Sequence, residues 1–273
     1  MLIAQLTDLH IKPSGRLAYG VVDTTAYLTA AVADLTARRP APDAVLLTGD
    51  LVDAGRPEEY ARLRALLAPI RCPVYVIPGN HDDRAALRAG FADHAYLPKG
   101  DGFIHYAIDD HPVRLIGLDT TDPGEAGGNL CAARLDWLAE QLARAPARPT
   151  ILFLHHPPFP TGIAHMDKIG LIDPAPFAAL VARHPQVERV LAGHLHRSIQ
   201  ARFAGTLAST APATCHQVAL ELEPEAPAAF YMEPPGYQLH LYVPETGVVS
   251  HTVTVGRYPG PYPFRDETGA LID

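Results

Sequence analysis

Cysteine is scarce in this chain: Cys72, Cys131 and Cys215 are the only three in 273 residues. Three widely spaced thiols make neither a disulfide framework nor a thiolate zinc site. They read as small buried or half-buried side chains. Basic residues are also short, 22 Lys and Arg against 30 Asp and Glu, for a net charge of −8. That balance disfavours a nucleic-acid polymer as partner, because a phosphate backbone calls for a basic stripe. It leaves a small anionic substrate open, since bound metal ions can dominate a local field. No apolar run approaches the roughly 18 residues of a membrane span. The opening MLIAQLTDLH has no basic segment and no small-residue cleavage site. It reads as the first strand of a fold, so a cytoplasmic location away from membranes is expected.

What is plentiful is apolar surface, 48% of residues, enough for a globular core at this length. The first two thirds alternate short apolar runs with helical segments. The runs are Leu2–Leu6, Ala44–Thr48, Val74–Ile77, Val113–Leu118, Thr150–Leu154 and Val187–Ala192. Helices are expected over Thr24–Arg38, Arg56–Ala68, Cys131–Arg144 and Asp173–His184, the last with Asp173 as N-cap before Pro174. Such alternation predicts a layered α/β fold. The β-like stretch Gly102–Ile108 points to a partly antiparallel sheet. After about residue 205 proline density rises and helical periodicity fades. Tyr237–Val243 and Val248–Val255 flank Pro-Glu-Thr-Gly, a hairpin signal. The division expected is a core over 1–205 and a β-rich extension over 206–273.

The 14 histidines invite a search for metal ligands. Five of the apolar runs end in ligand chemistry: Asp8-Leu9-His10, Gly49-Asp50, Gly79-Asn80-His81-Asp82, His155-His156-Pro157-Pro158 and Gly193-His194-Leu195-His196. Functional groups in open α/β sheets gather at the carboxyl ends of strands, so these five ends should meet. In extended chain, residues i and i+2 share a face. Asp8 and His10 could thus reach one metal, and His194 with His196 could form a second such pair. Gly49, Gly79 and Gly193 each precede a candidate ligand and permit tight turns or close backbone approach. Nitrogen and oxygen donors without thiolate suit Zn, Mn, Co or Fe(II). Each motif alone is weak; their joint placement at run ends is the signal.

The series D-x-H, GD, GNHD, HHPP and GHLH resembles the calcineurin-like metallophosphoesterase superfamily. The continuations GDLVDAGRPEEY, IPGNHDD and Met166-Asp167 are similar to its bacterial branch of class III cyclic-nucleotide phosphodiesterases and glycerophosphodiesterases. Thr214–Val218, TCHQV, resembles the glycerophosphodiesterase side of that branch. The resemblance implies an αββα sandwich of sheets flanked by helices. It also implies two divalent metal ions, one on Asp8, His10 and His196 and the other on Asn80, His155 and His194, with Asp50 bridging. By the same resemblance His156 is structural. A metal-bridging hydroxide would attack a small phosphodiester in line. Two divalent ions against two ligand carboxylates and that hydroxide leave about one positive charge for the phosphate. His81 is the candidate acid for the leaving alkoxide, or else a phosphate-positioning group. His216 is a weaker candidate for lining the pocket. His94, His105, His111, His165, His184, His240 and His251 read as ordinary surface or core residues.

Alternatives are a broad-scope phosphomonoesterase and a non-catalytic scaffold, the latter requiring missing ligands, of which there are none. In the C-terminal third Tyr231, Met232, Tyr237, Tyr242, Tyr258, Tyr262 and Phe264 supply large apolar contacts, and Tyr258 to Asp273, with the stiff Pro-Gly-Pro-Tyr-Pro run, reads as an extended arm; either it packs along its own domain or part of this region meets another subunit and narrows the pocket mouth. On the second reading a homo-oligomer is expected, and the glycerophosphodiesterase resemblance points the same way.

Overall fold

The computed structural model describes residues 1–272. The chain first lays down β1 (Leu2–Leu6), α1 (Thr24–Ala37), β2 (Ala44–Thr48), α2 (Pro57–Leu67), β3 (Val74–Ile77) and α3 (Arg84–Gly90). It continues with β4 (Tyr106–Ile108), β5 (Arg114–Gly117), α4 (Ala132–Arg144), β6 (Thr150–Phe153), α5 (Ala164–Asp167), α6 (Ala175–Ala182), β7 (Val187–Ala192), β8 (Ile199–Phe203) and β9 (Thr206–Thr210). The short β10 (Gln217–Val218) and β11 (Phe230–Tyr231) pair with each other, and β12 (Gly236–Val243) and β13 (Gly247–Thr254) form the hairpin that the sequence predicts.

Two sheets result, ordered β13-β12-β1-β2-β3 and β4-β5-β6-β7-β9-β8. In the first sheet β1, β2 and β3 run parallel and β12 and β13 add on antiparallel; in the second the middle strands are parallel and the edge strands β4 and β8 antiparallel. Side-chain alternation sorts the faces. On β6, Ile151 and Phe153 join the core shared with the first sheet, while Leu152 joins the core under α4 and α6. The first sheet is covered outside by α1, whose Leu28, Ala31, Val32 and Leu35 recur at helical spacing and are buried. Each fully buried Leu or Phe of this kind contributes about 1.5–3 kcal/mol. The architecture is thus the layered αββα sandwich that the alternation and the resemblance imply. Strands beyond residue 205 enter both sheets, β9 beside β7 and β12 beside β1.

Local sequence explains the helix starts. Asp23 Oδ1 accepts from the Ala26 amide at 3.0 Å and opens α1. Pro57 opens α2, where Glu59 accepts from the Ala54 and Arg56 amides. Asp173 does not cap α6. That helix begins at Ala175 after Pro174, and Asp173 takes φ 46°, turning its side chain from the helix amides. The cause lies just upstream, where Ile172 N–H is held by the Gly128 carbonyl at 2.7 Å and the chain must turn sharply. Tyr237 lies on the expected hairpin strand. It is fully buried on β12, with its hydroxyl donating to Asp34 at 2.6 Å, because strand alternation points it into the first core. Tyr258, Tyr262 and Phe264 are exposed, by 63%, 76% and 87%, so the final segment does not pack along its own domain.

Two polar ties join the sheets beside the strand ends that carry the motifs. Gln5 on β1 donates to Thr48 Oγ1 and to the Ala192 carbonyl at the end of β7, at 3.0 and 2.8 Å. Arg84 at the start of α3 forms a two-pronged pair with the buried Asp119, Nε to Oδ2 at 2.6 Å and Nη2 to Oδ1 at 3.0 Å. Burial alone would raise the Asp119 pKa, but Arg84, the Ile104 amide and the Thr121 hydroxyl together lower it. A depressed carboxylate stabilises the fold above its unfolded pKa of about 3.9 and loses that contribution as pH falls through the folded value. Removing Arg84 leaves a buried charge unpaired. An Arg84→Met variant is expected to lose roughly 3–5 kcal/mol in urea denaturation near pH 7. The deficit should shrink below about pH 4; a loss under 1 kcal/mol, or one indifferent to pH, would contradict this role.

Candidate metal centre

The carboxyl ends of β1, β2, β3, β6 and β7 converge, and their loops are laced together by backbone hydrogen bonds. Asp8 N–H donates to the Gly49 carbonyl at 3.1 Å and His10 N–H to the Asp50 carbonyl at 3.0 Å. Asp8 (φ 53°), His10 (43°), Asp50 (48°), His194 (70°) and His196 (51°) all take left-handed backbone conformations. The D-x-H and H-x-H spacings therefore do not work by strand alternation, as the extended-chain reading supposes. Each strand has ended, and successive sharp turns aim these side chains. The consequence is largest for the GHLH motif. His194 and His196 do not form one pair: His194 Nδ1 faces His155 Nε2 at 3.2 Å, whereas His196 Nε2 faces His10 Nε2 at 3.2 Å.

Two groups of donor atoms result. In one, Asp8, His10 and His196 offer atoms within 4.8 Å of one another. In the other, His155 Nε2 lies 3.1 Å from Asn80 Oδ1 and 3.2 Å from His194 Nδ1. Asp50 stands between them, with Oδ2 at 3.6 Å from His10 Nε2 and Oδ1 at 3.5 Å from His155 Nε2. All the expected ligand residues are thus brought together.

The donors fit a cation. His155 Nδ1–H donates to the Thr48 carbonyl at 2.8 Å, and His196 Nδ1–H to the His216 carbonyl at 3.0 Å. These bonds fix the tautomers and leave both Nε2 atoms as lone-pair donors aimed inward. His10 Nδ1 is buried with no hydrogen-bond partner. Two imidazole nitrogens on one tetrahedral ion at about 2.05 Å would stand roughly 3.3 Å apart, close to the spacing found. Electrostatics agree. Burial, reinforced by neighbouring imidazoles, pushes His194 down to about 3. Burial also takes His196 to about 4 and His10 well below its ordinary range, so these rings are neutral, the form that ligates. His155 differs: burial opposes its charge, but Asp50 and Asp8 outweigh it and raise His155 to about 9, so a cation at its Nε2 would displace a proton.

His156 is excluded as a donor despite its proximity. Its Nδ1 meets Thr120 Oγ1 at 2.8 Å and its Nε2 meets the Ala126 carbonyl at 3.1 Å, so both ring nitrogens are committed. Asp82, which within GNHD alone could be taken for a helix cap, instead braces the centre. It is half-buried and accepts from the Leu51 and Gly79 amides at 3.1 and 2.9 Å, and Tyr60 donates to it at 2.8 Å. The helix-capping role belongs to Asp83, whose Oδ1 accepts from the Ala86 amide at 2.8 Å.

Above the donors opens a cleft of about 410 Å³. His81 lines it, with Nδ1 donating to the Asp53 carbonyl at 2.8 Å, which leaves Nε2 free. Burial disfavours charge on His81, but the Asp50 carboxylate and the Asp53 carbonyl prevail and raise its pKa. His216 lines the cleft as well, its ring 4.5 Å from that of His196. His165, assigned no part from sequence, is also at the cleft, with Tyr19, Met166, Ile169, Val218 and Phe230. These wall residues come from loops and short elements that carry no periodic signal. The other histidines set aside are structural or peripheral; His240, for example, is buried against Gln5 and Ser250.

Known proteins resemble this chain in sequence and in fold. The calcineurin-like phosphoesterase family model covers residues 1–198, and the chain belongs to that family. It is 39% identical over 274 residues to a probable glycerophosphodiester phosphodiesterase of Arcobacter nitrofigilis, covering 100% of each chain. It is 36% identical over 265 residues to a probable cyclic nucleotide phosphodiesterase of Rhodopseudomonas palustris, covering 96% of this chain and 94% of the relative. Among solved structures, a dimetal phosphatase from Danio rerio superposes with a TM-score of 0.65 at 16% identity, over 94% of this chain and 99% of that one. The last comparison speaks to the fold alone. None of the helices in the described residues is long and apolar enough to cross a membrane.

The glycine before Asn80 tests the packing of the centre. A Cβ on Gly79 would lie 2.3 Å from both the Asp50 nitrogen and Asp50 Oδ1. Gly79→Ala is expected to displace Asp50 and lower affinity for added Mn²⁺ or Zn²⁺ by roughly 10–100-fold, the usual worth of groups that orient ligands. Gly102→Ala, where a Cβ meets nothing within 4 Å, should bind normally. Equal metal retention by both variants after dialysis would contradict the close approach.

Proposed function

We propose that this chain hydrolyses small phosphodiesters at two divalent cations. Asp8, His10 and His196 hold one, Asn80, His155 and His194 hold the other, and Asp50 holds both. The observation that carries this reading is the placement of the two Asp50 oxygens, each 3.5–3.6 Å from an imidazole nitrogen of a different group. Divalent ions in such a site activate water near neutral pH and withdraw charge from the phosphoryl oxygens. Mixed imidazole, carboxylate and amide donors suit Mn, Fe, Zn or Co.

The chain's own residues supply orientation and proton control. The Thr48 and His216 carbonyls hold the rings of His155 and His196 in their ligating tautomers. The Asp53 carbonyl fixes His81 at Nδ1, so Nε2 is the atom that meets substrate, donating to the leaving alkoxide or to a phosphoryl oxygen. The cleft lining contains no Lys or Arg. That favours the single charge of a diester over the double charge of a monoester, and it agrees with relatives named for glycerophosphodiester and cyclic nucleotide hydrolysis. The three free thiols accord with a reducing, cytoplasmic compartment.

The exposed arm carrying Tyr258, Tyr262 and Phe264 is read as a contact with another copy of the chain. A cut near residue 225 would remove β12, which pairs with β1, and so cannot test this. Removal of residues 258–273 can. It is expected to lower the mass seen by light scattering, and an unchanged mass, or a monomeric parent, would refute the contact.

For the activity itself, metal-reconstituted enzyme should hydrolyse diesters and the metal-free enzyme should not. His81→Ala should keep both metals while losing roughly 10²–10⁴-fold in turnover of an alkyl diester. A nitrophenyl diester, whose leaving group needs no proton, should suffer less. Equal losses on both substrates would argue for phosphate positioning instead, and no diester hydrolysis by loaded wild type would end the proposal.

A further inference from the structure

We infer that Tyr19 and Phe230 form a stacking wall that selects phosphodiesters bearing a planar aromatic ester group, such as a nucleobase, over those bearing only glycerol. This rests on the phosphodiesterase reading above and narrows its substrate class.

Backbone strain is the first observation. Eight non-glycine residues among those described have left-handed φ, and five of them, Asp8, His10, Asp50, His194 and His196, are at the candidate metal centre. Tyr19, at φ 51°, is another. A bulky aromatic is a poor occupant of that region, and such positions concentrate at functional sites. Tyr19 and Gly20 (φ 74°) make a tight turn closed by Val21 N–H to the Ala18 carbonyl at 3.1 Å and Ala18 N–H to the Val22 carbonyl at 2.9 Å. Core packing does not explain the ring, because Tyr19 is 59% exposed. Instead the turn lifts the ring over the cleft.

The second observation is how firmly the turn is mounted. Ala18 and Val22, flanking it, are fully buried in a small cluster with Ala213 and Cys215, against which Tyr27 and Phe230 pack. Tyr19 lies 5.2 Å from Phe230 and 5.2 Å from His216, centroid to centroid, and His216 lies 4.9 Å from Phe230. Tyr19 and Phe230 touch each other and admit nothing between them. The open face of Tyr19 is therefore where a planar group can lie, and offset or tilted ring contacts of this kind are favourable. A preorganised ring adds affinity at little entropic cost.

The third observation is the chemistry of the remaining wall. Met166, Ile169, Val218, Ala228 and Ala229 are apolar, His165 is the polar side chain among them, and Lys and Arg are absent from the lining among the described residues. Glycerol hydroxyls find few partners on such a wall, and a second phosphate finds no cation. A flat, uncharged, largely apolar group finds both contact area and a ring to stack on.

The experiment uses metal-loaded full-length protein and calorimetric dissociation constants for AMP and ribose 5-phosphate, which differ only in the base. Turnover of bis(p-nitrophenyl) phosphate is followed alongside. Wild type is expected to bind AMP roughly 5–150-fold more tightly than ribose 5-phosphate, the range for one stacked base. Tyr19→Gly removes the ring at a φ that glycine prefers, and Tyr19→Asn does so with a side chain that tolerates it. Both should erase the preference, while Tyr19→Phe should retain it. Equal binding of the two ligands by wild type, or a preference that survives in Tyr19→Gly and Tyr19→Asn, overturns the inference. If wild type turns over the diester yet shows no preference, only this inference fails. If it turns over no diester, the phosphodiesterase reading fails with it.

Discussion

The structure depends on one electrostatic constraint: nitrogen and oxygen lone pairs are packed 3.1–3.6 Å apart in a pocket largely closed to water. Buried donors at that spacing repel one another or compete for protons unless a cation gathers them. Every local feature of the centre serves this crowding. The loops after β1 and β2 are bonded edge to edge, Asp82 braces the loop that carries Asn80, and backbone carbonyls orient two of the rings. Gly193 has no room for a side chain, since a Cβ there would lie 2.1 Å from Thr7 Oγ1. The left-handed turns at five of the donors concentrate strain where two rigid sheets can hold it.

The same arrangement reconciles an acidic protein with an anionic substrate. The net charge is −8, and the cleft lining has no basic side chain beyond its histidines. On the proposed reading, attraction for phosphate would come from ions held by imidazoles, an amide and two carboxylates, a donor set that would leave the cations only partly neutralised. Burial keeps most of the imidazoles uncharged, so they do not spend positive charge on protons.

Much of this was legible in the sequence because strand ends are punctuated chemically. Short apolar runs closed by Asp, Asn, His and Gly mark both the sheets and the place where they meet, and the GNHD and GHLH motifs sit where the strand-end rule places them. The backbone path beyond each strand was not legible. Residue spacing cannot distinguish an extended D-x-H from one bent through two left-handed turns, so spacing alone reads the H-x-H pair as one chelate, whereas the resemblance parts its rings toward different groups. Asp173 resembled a cap because the pinning of Ile172 to Gly128 is a tertiary contact. Tyr19 and Phe230 meet across more than 200 residues, a contact that no local pattern encodes.

The most direct measurement is anomalous X-ray scattering from crystals of the protein grown with Mn²⁺. Two peaks are expected, one within coordinating distance of Asp8, His10 and His196 and one within coordinating distance of Asn80, His155 and His194. Asp50 should reach both. A single peak, or peaks that leave the Asp50 carboxylate unbound, would contradict a shared two-metal centre.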